Sequence, residues 1–464
     1  MHNSENDLHR GLAERHISLM ALGAAIGVGL FLGSATAIKI AGPAILISYL
    51  VCGGVMFIIM RALGEMAIHN PVSGSFARYA QDYIGPFAGF LTGWTYWFGW
   101  VIGCMAETSA VSVYMHLWYP DTPSWVWTLA ALLLCAGTNF ISVKIYGEFE
   151  FWVALIKVAT IVLMIVVGAG TVFFGFANGG TATGFQNLWT HGGFMPHGLS
   201  GILLALPMVA YSYAGLEVLG LTAGEAKNPT KSLSRAINSV FWRVLIFYFG
   251  SLLVIMAIYP WNEIGTQGSP FVMMFQRMGI PGAAGIVNFV VLTAALSAAN
   301  SGIYCTGRML FNLAQNGHAS PRFATTSNGV PRRAIMLTGA LLIIGVALNY
   351  VAPSQVFVWL SAIAAFSSIW TWGVILVAQF NFRKSLSSNE VRKMKLRVPI
   401  FPYANYVAGL FLVGVLVSMA FREETRVILG VGPAWILLLC VVYYMRGIGQ
   451  KAADVRNRSL ANRT

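Results

Sequence analysis

The sequence predicts an all-α polytopic membrane protein with about twelve transmembrane helices. Three observations predict it. The 464 residues are 57% hydrophobic and only 10% charged, with a mean hydropathy of +0.69, which is not the composition of a soluble globule. Apolar runs of spanning length recur along the whole chain, and roughly 35 residues per span and loop leave room for about twelve helices. The cations are sided: with the N-terminus inside, only Lys39, Arg277, Arg422 and Arg426 of the 29 Lys and Arg lie outside. That positive-inside bias puts both termini in the cytoplasm. The net charge of +13 is therefore topological and argues for no nucleic-acid partner.

In chain order the expected spans are 17–38, 43–66, 86–116, 124–143, 152–176, 199–222, 240–260, 280–311, 332–350, 355–379, 403–421 and 426–446, with cytoplasmic tails at 1–16 and 447–464. No small-residue cleavage site follows the polar first residues, so the first span is expected to be retained. Cys52, Cys104, Cys135, Cys305 and Cys440 all fall in apolar stretches. An odd, scattered set predicts neither a disulfide framework nor a zinc site.

Span one carries AAIGVGLFLG at 24–33, with Gly27, Gly29 and Gly33 close together. Weak helix formers at this spacing invite the helix to open. In lipid an opened turn is tolerated only where its freed backbone groups face a cavity or a ligand. The outer half-helix would begin near Val28 and aim its N–H groups at the break, which suits an anion. The inner half would end there and offer carbonyls to a cation, so the two together suit a zwitterion such as an amino acid. The competing reading is a close helix–helix contact through small residues.

The loop NPVSGSFARYAQDYIGP after span two is polar and too long for a simple turn. Span three is long and holds Glu107 near its middle, with Trp94, Tyr96, Trp97 and Trp100 as packing and interface aromatics. His116 at its outer end reads as a vestibule residue or an ordinary surface histidine. Span five holds Lys157 a turn or two from its inner end. The loop at about 177–197 lacks Lys and Arg, which fits the outside. Span six holds Tyr211, Ser212, Tyr213, Ala214 and Glu217 in a second interrupted stretch. GEAKNPTKSLSRAI follows, with Lys227, Lys231 and Arg235 at helical spacing, and reads as an amphipathic helix on the inner surface. Ser297, Asn300 and Ser301 in span eight suit interhelical hydrogen bonds. Arg392, Lys393, Lys395 and Arg397 form a solvated inner loop within reach of anionic lipid.

Spans one and six stand five helices apart and cross in opposite directions. Two interrupted helices in corresponding positions point to an inverted repeat with a binding site at its interface. The expected halves are 17–176 and 199–379, within a ten-helix transport core at 17–402, and spans eleven and twelve (403–446) are an appendage.

Ionisable groups deep in lipid cost a few kcal/mol each and mark function or a paired contact. Each of the three has a structural alternative. Lys157 near an inner helix end can snorkel. Glu107 can lock helix packing through hydrogen bonds. Glu217 can cap the half-helix that resumes after the break. No histidine pair with an acid, nucleophile elbow or P-loop is present, so the chain does not read as an enzyme. Tails of about 16 and 18 residues leave little for the signalling domain of a sensor.

The segments RGLAERHISLMALGAAIGVGLFLGSA, AGPA, RALGEMAIHNPVSGSFARYA, YGEFEFW followed by Lys157, TAGEAKNP and ALSAANSGIYCTGRML together resemble the bacterial amino-acid permeases of the amino acid–polyamine–organocation superfamily. The motif order is similar to the branch carrying proline, histidine, threonine, aromatic amino acids and γ-aminobutyrate. The resemblance implies the leucine-transporter fold, a 5+5 inverted repeat with helices one and six broken. It implies that Ile26, Gly27, Val28 and Gly29 bind the substrate carboxylate. Tyr211, Ser212, Tyr213 and Ala214 would receive the ammonium, and Glu107, with Cys104 a turn earlier, would face the substrate. Lys157 would stand where sodium sits in sodium-coupled relatives and link span one to span eight, which makes Lys157 and Glu107 the proton-coupling candidates. Ala24 and Ala25 replace residues that are Gly, Ser or Thr in many relatives. Spans three, eight and ten would select the side chain, with Phe366, Ser367 and Trp370 as candidates. The expectation is an importer of an L-amino acid (neutral, histidine, proline or aromatic) by proton symport across the bacterial inner (plasma) membrane. It needs no cofactor or metal beyond the proton gradient, and its partners are the amino acid and the bilayer. The alternatives are an amino acid/amine antiporter of the same fold and a non-transporting membrane sensor.

Overall fold

A computed structural model describes residues 26–72, 75–139, 143–221, 229–265, 268–327 and 330–448. Both tails, the inner part of span one with Ala24 and Ala25, and most of the GEAKNP segment with Lys227 lie outside the described residues. Within them every regular element is helical, and the β structure is one isolated bridge between Ser327 and Val330.

Nine helical runs among the described residues are long and apolar enough to cross a membrane. The first, Gly29–His69, is two expected spans joined by a tight turn. Gly42 adopts φ +62° there, and a Cβ on it would stand 2.4 Å from Pro196 Cγ, so only glycine fits. Pro86–Met115 and Ser124–Asn139 supply spans three and four, which completes the expected set. Span five is Val143–Phe174, span eight Ala283–Gln315, span nine Arg332–Val351 and span ten Val356–Ser385. Spans eleven and twelve are Tyr403–Ser418 and Val427–Met445. Span three is the central post, with its most extensive packing against spans eight and ten.

Three stretches depart from regular α-helix. Span one begins its described part with a π-helical turn, Gly29–Gly33, before Ser34–Ala41. Span six runs Gly198–Tyr213, stops where Ala214 turns extended (ψ 139°), passes Gly215 at φ +99°, and resumes as Val218–Leu221. Span seven is Pro229–Arg243, a π-helical Val244–Gly250, then Ser251–Ile258. The amphipathic segment is therefore continuous with span seven and not a separate surface helix. Leu233, Ala236, Ile237 and Val240 are buried and Lys231 and Arg235 exposed. A Cβ on Gly64 would meet Ile237 Cδ1 at 2.3 Å, so the apolar face lies against span two and not against lipid. The polar loop after span two folds as a short helix, Ser75–Tyr83, with Phe76, Tyr79 and Ala80 buried.

Near the C-terminal end of span two, Glu65 is buried and gathers four donors. Arg383 of span ten gives Nε at 3.0 Å and Nη2 at 2.9 Å, and Gln379 gives Nε2 at 2.5 Å. The fourth is the backbone N–H of Val398. Asn405 of span eleven donates to Gln379 Oε1 at 2.7 Å. The four cations of the inner loop are exposed as expected, but Leu396 and Val398 between them are buried. At the end expected outside, Asn187 of the loop after span five donates to Ala257 O at 2.8 Å, and the His197 ring meets Ile40 O at 2.8 Å. His116 serves its own turn, contacting Thr122 O at 2.9 Å.

Candidate functional site

The described part of span one opens with Ile26 and Gly27 in a bend. The N–H groups of Leu30 and Phe31 both return to Gly27 O, at 3.1 and 3.2 Å, so the helix starts at Val28. That leaves the N–H groups at its start without intrahelical acceptors. Glu107 Oε1 lies 3.3 Å from where a Gly27 Cβ would stand, and Glu107 Oε2 is buried with no hydrogen-bond partner among the described residues. Glu107 and Gly27 are both only partly buried although they lie mid-protein.

Gly29 does something different. A Cβ there would stand 2.6 Å from Ser212 Cα and 3.1 Å from Ser212 N. Spans one and six pass backbone against backbone at this point. The glycines of the stretch therefore differ: Gly29 is a close contact, while Gly27 is left partly accessible beside Glu107.

The span-six residues also divide. Ser212 Oγ bonds Tyr49 OH at 3.1 Å and Met208 O at 3.1 Å, and Ser212 O accepts from Tyr248 OH at 2.9 Å. Tyr213 OH donates to Tyr49 O at 2.8 Å, and its ring stacks on Tyr248 with centroids 4.6 Å apart. Ser212 and Tyr213 thus face spans two and seven. Both π-helical turns converge on Ser212, through Gly29 and Tyr248. Tyr211 O accepts from Ala214 N–H at 3.1 Å, and Tyr213 O from Leu216 N–H at 3.4 Å. Of these four carbonyls, only that of Ala214 has no donor among the described residues, and Ala214 is the one of the four residues left partly accessible. The Tyr211 ring meets Phe357 of span ten edge-on at 6.2 Å and lies within electrostatic range of Glu107.

Glu217 closes the break rather than lining it. Its two oxygens each lie 3.2 Å from Gly215 N, and Oε2 accepts from Trp372 Nε1 at 3.1 Å. Cys104 is buried in the seam with span eight, where Sγ is 3.7 Å from Ala299 O and a Cβ on Gly302 would stand 2.2 Å from it.

Lys157 decides against snorkelling. It is 1% exposed, its Nζ donates to Ser297 Oγ at 3.3 Å, and it acts electrostatically on Glu107. A snorkelling ammonium would reach an aqueous surface. Nearby, Asn300 Oδ1 accepts from Thr138 at 2.8 Å and Asn139 at 2.6 Å, the expected interhelical bonding. The span-ten candidates turn elsewhere. Phe366 packs against Gly432 of span twelve, Ser367 against Gly99, and Trp370 joins the Phe90–Leu439 cluster. The aromatic partners Tyr49, Tyr248 and Trp372 were not singled out by the sequence; a tyrosine or tryptophan in an apolar run carries no mark of its partner.

Residues 16–453 match the family model described as Amino acid permease. An uncharacterized amino acid permease, YtnA, of Bacillus subtilis is 58% identical over 463 residues, covering 99% of this chain and 100% of that one. The same organism's probable threonine/serine transporter YbxG is 46% identical, over 97% of each chain. Its amino-acid permease AapA is 44% identical, over 95% of each.

Proposed function

We propose a transport cycle from one premise: this chain belongs to the amino acid permease family. It is a multi-pass membrane protein of a transporter family whose cargo class is amino acids. The finer reading is import of a small neutral L-amino acid across the plasma membrane by proton symport, with both termini cytoplasmic. YbxG, named for threonine and serine, makes these two the first substrates to test.

What supports this reading is the crossing of two interrupted helices: Gly29 of span one lies against Ser212 of span six, close in sequence to the bend at Gly27 and the break at Ala214. The start of span one presents N–H groups of Val28 and its neighbours, which favour a carboxylate. The Ala214 carbonyl suits an ammonium. A zwitterion satisfies both, and its side chain falls toward span three and Tyr211. Lys157 supports the coupling. Charged, it holds Ser297 of span eight; neutral, it releases it, which biases a two-state packing. Rocking of the helices around this point would then alternate access.

Purified protein in vesicles, given labelled threonine or serine and an inside-alkaline pH gradient, tests the reading. Accumulation that collapses with a protonophore is expected, as is competition by unlabelled neutral amino acids. Flux only against a loaded counter-substrate would make the protein an exchanger, and binding without flux would make it a sensor.

A further inference from the structure

The segment 394–399 between spans ten and eleven has two unlike faces. Leu396 and Val398 are buried, while Lys395 and Arg397, alternating with them, are exposed. That is the period of an extended chain laid on a surface. Its protein side is fastened to span two. Val398 N–H donates to Glu65, Arg61 Nε donates to Arg397 O at 2.8 Å, and a Cβ on Gly64 would meet Leu396 Cδ2 at 2.5 Å. Arg61 also gives Nη1 to Asn238 Oδ1 of span seven at 2.9 Å. Glu65 is held in turn by Arg383 and Gln379 of span ten. One strap therefore joins three spans.

The other face is cationic. Arg392 and Lys393, at the end of the short helix Ser388–Lys393, are exposed as well, and no acid stands between Arg392 and Arg397. The acid of that helix, Glu390, is committed to its cap, where it takes the Ser387 N–H at 2.8 Å. Just beyond the strap, Ile400 is 78% and Tyr403 68% exposed, and Tyr403 opens span eleven. Exposed apolar and aromatic residues at the start of a spanning helix mark the lipid boundary. The three residues from Arg397 to Ile400 reach about 10 Å at most, which is about one Debye length at 0.1 M salt.

We propose that the strap docks on the headgroup phosphates of anionic phospholipids and relays the surface charge of the bilayer to spans two, seven and ten. Scattered surface cations would feel the same attraction without passing it on. These sit on a backbone pinned by Arg61 and Glu65, so a pull on the strap is a pull on the helices.

Purified protein in neutral detergent, offered phosphatidylglycerol or phosphatidylcholine, tests the proposal through lipid retention in native mass spectra and through the melting temperature. Wild type should retain phosphatidylglycerol preferentially and melt higher with it, and high salt should cancel both effects. Retention should fall about fivefold per cation removed in Lys393→Gln/Lys395→Gln/Arg397→Gln. Arg332→Gln/Arg333→Gln removes two exposed cations at the start of span nine and should change little. Arg61→Ala should keep retention but lose most of the thermal response. Wild type without preference for phosphatidylglycerol, an equal loss in the span-nine control, or the same response to soluble glycerol phosphate overturns the docking. A full thermal response in Arg61→Ala overturns the relay.

Discussion

Gly29→Ala is the smallest change that tests the crossing of spans one and six. The new methyl would stand 2.6 Å from Ser212 Cα and 3.1 Å from Ser212 N, where carbon–carbon contacts optimise at about 3.5–4.0 Å. The obstacle is backbone, so no rotamer relieves it, and the two helices must part by about 1 Å. Overpacking of this kind costs about 1–3 kcal/mol. Here it also pulls on Ser212, whose hydroxyl and carbonyl are held by Tyr49 and Tyr248. Gly27→Ala is the internal control, because its methyl meets only Glu107 Oε1, the end of a flexible side chain, at 3.3 Å. Thermal unfolding in detergent and initial uptake rates in vesicles should separate the two. Gly29→Ala is expected to lower the melting temperature and remove most uptake, and Gly27→Ala to leave the melting temperature near wild type. Wild-type stability and uptake in Gly29→Ala would refute the backbone crossing.

Lys157→Ala or Lys157→Gln should still bind substrate but fail to concentrate it under an imposed pH gradient; accumulation at the wild-type level removes Lys157 from coupling. Trp372→Phe takes one donor from Glu217, so a loss of about 1 kcal/mol is expected, read as a lower detergent melting temperature, and an unchanged one would mean Glu217 does not hold the break. Glu65→Ala strands the Arg383 guanidinium, whose side chain is only 9% exposed, and should cost about 3–5 kcal/mol. Adding Arg383→Leu should restore part of the lost stability, and a double variant worse than Glu65→Ala alone would argue that Arg383 is not stranded by the first change.

The spans were legible because lipid demands long apolar runs and leaves their ends polar. Glu107 and Lys157 were legible for the same reason: an ionisable residue inside such a run stands out. The break in span six showed through its small and polar residues, and the structure puts it at Ala214 and Gly215. Which way each residue of a break turns was not legible. Ser212 and Ala214 are neighbours of similar size, yet one is committed to Tyr49 and Tyr248 and the other is left open. That difference is decided by helices distant in sequence. The span-ten candidates Phe366, Ser367 and Trp370 missed for a related reason. A helix packed on several sides by protein shows no polar face to mark its pocket side, and theirs is taken by Gly99, Gly432 and the Phe90–Leu439 cluster. The amphipathic run at the start of span seven has the pattern of a membrane-surface helix, and a protein neighbour satisfies that pattern as well as lipid does.

The knot of Tyr49, Ser212, Tyr213 and Tyr248 limits how this scaffold can be retuned for another cargo. Residues 212 and 213 sit in the middle of the broken helix, where a protein engineer would first look for specificity. Their hydroxyls are already spent on holding spans two, six and seven together. Changing them would loosen the frame before it altered preference. The positions with room to change are Ala214, left partly accessible, and Gly103, one turn before Glu107 with no atom within 4 Å of its absent Cβ. Diversification of cargo is therefore channelled to span three and to the edges of the break.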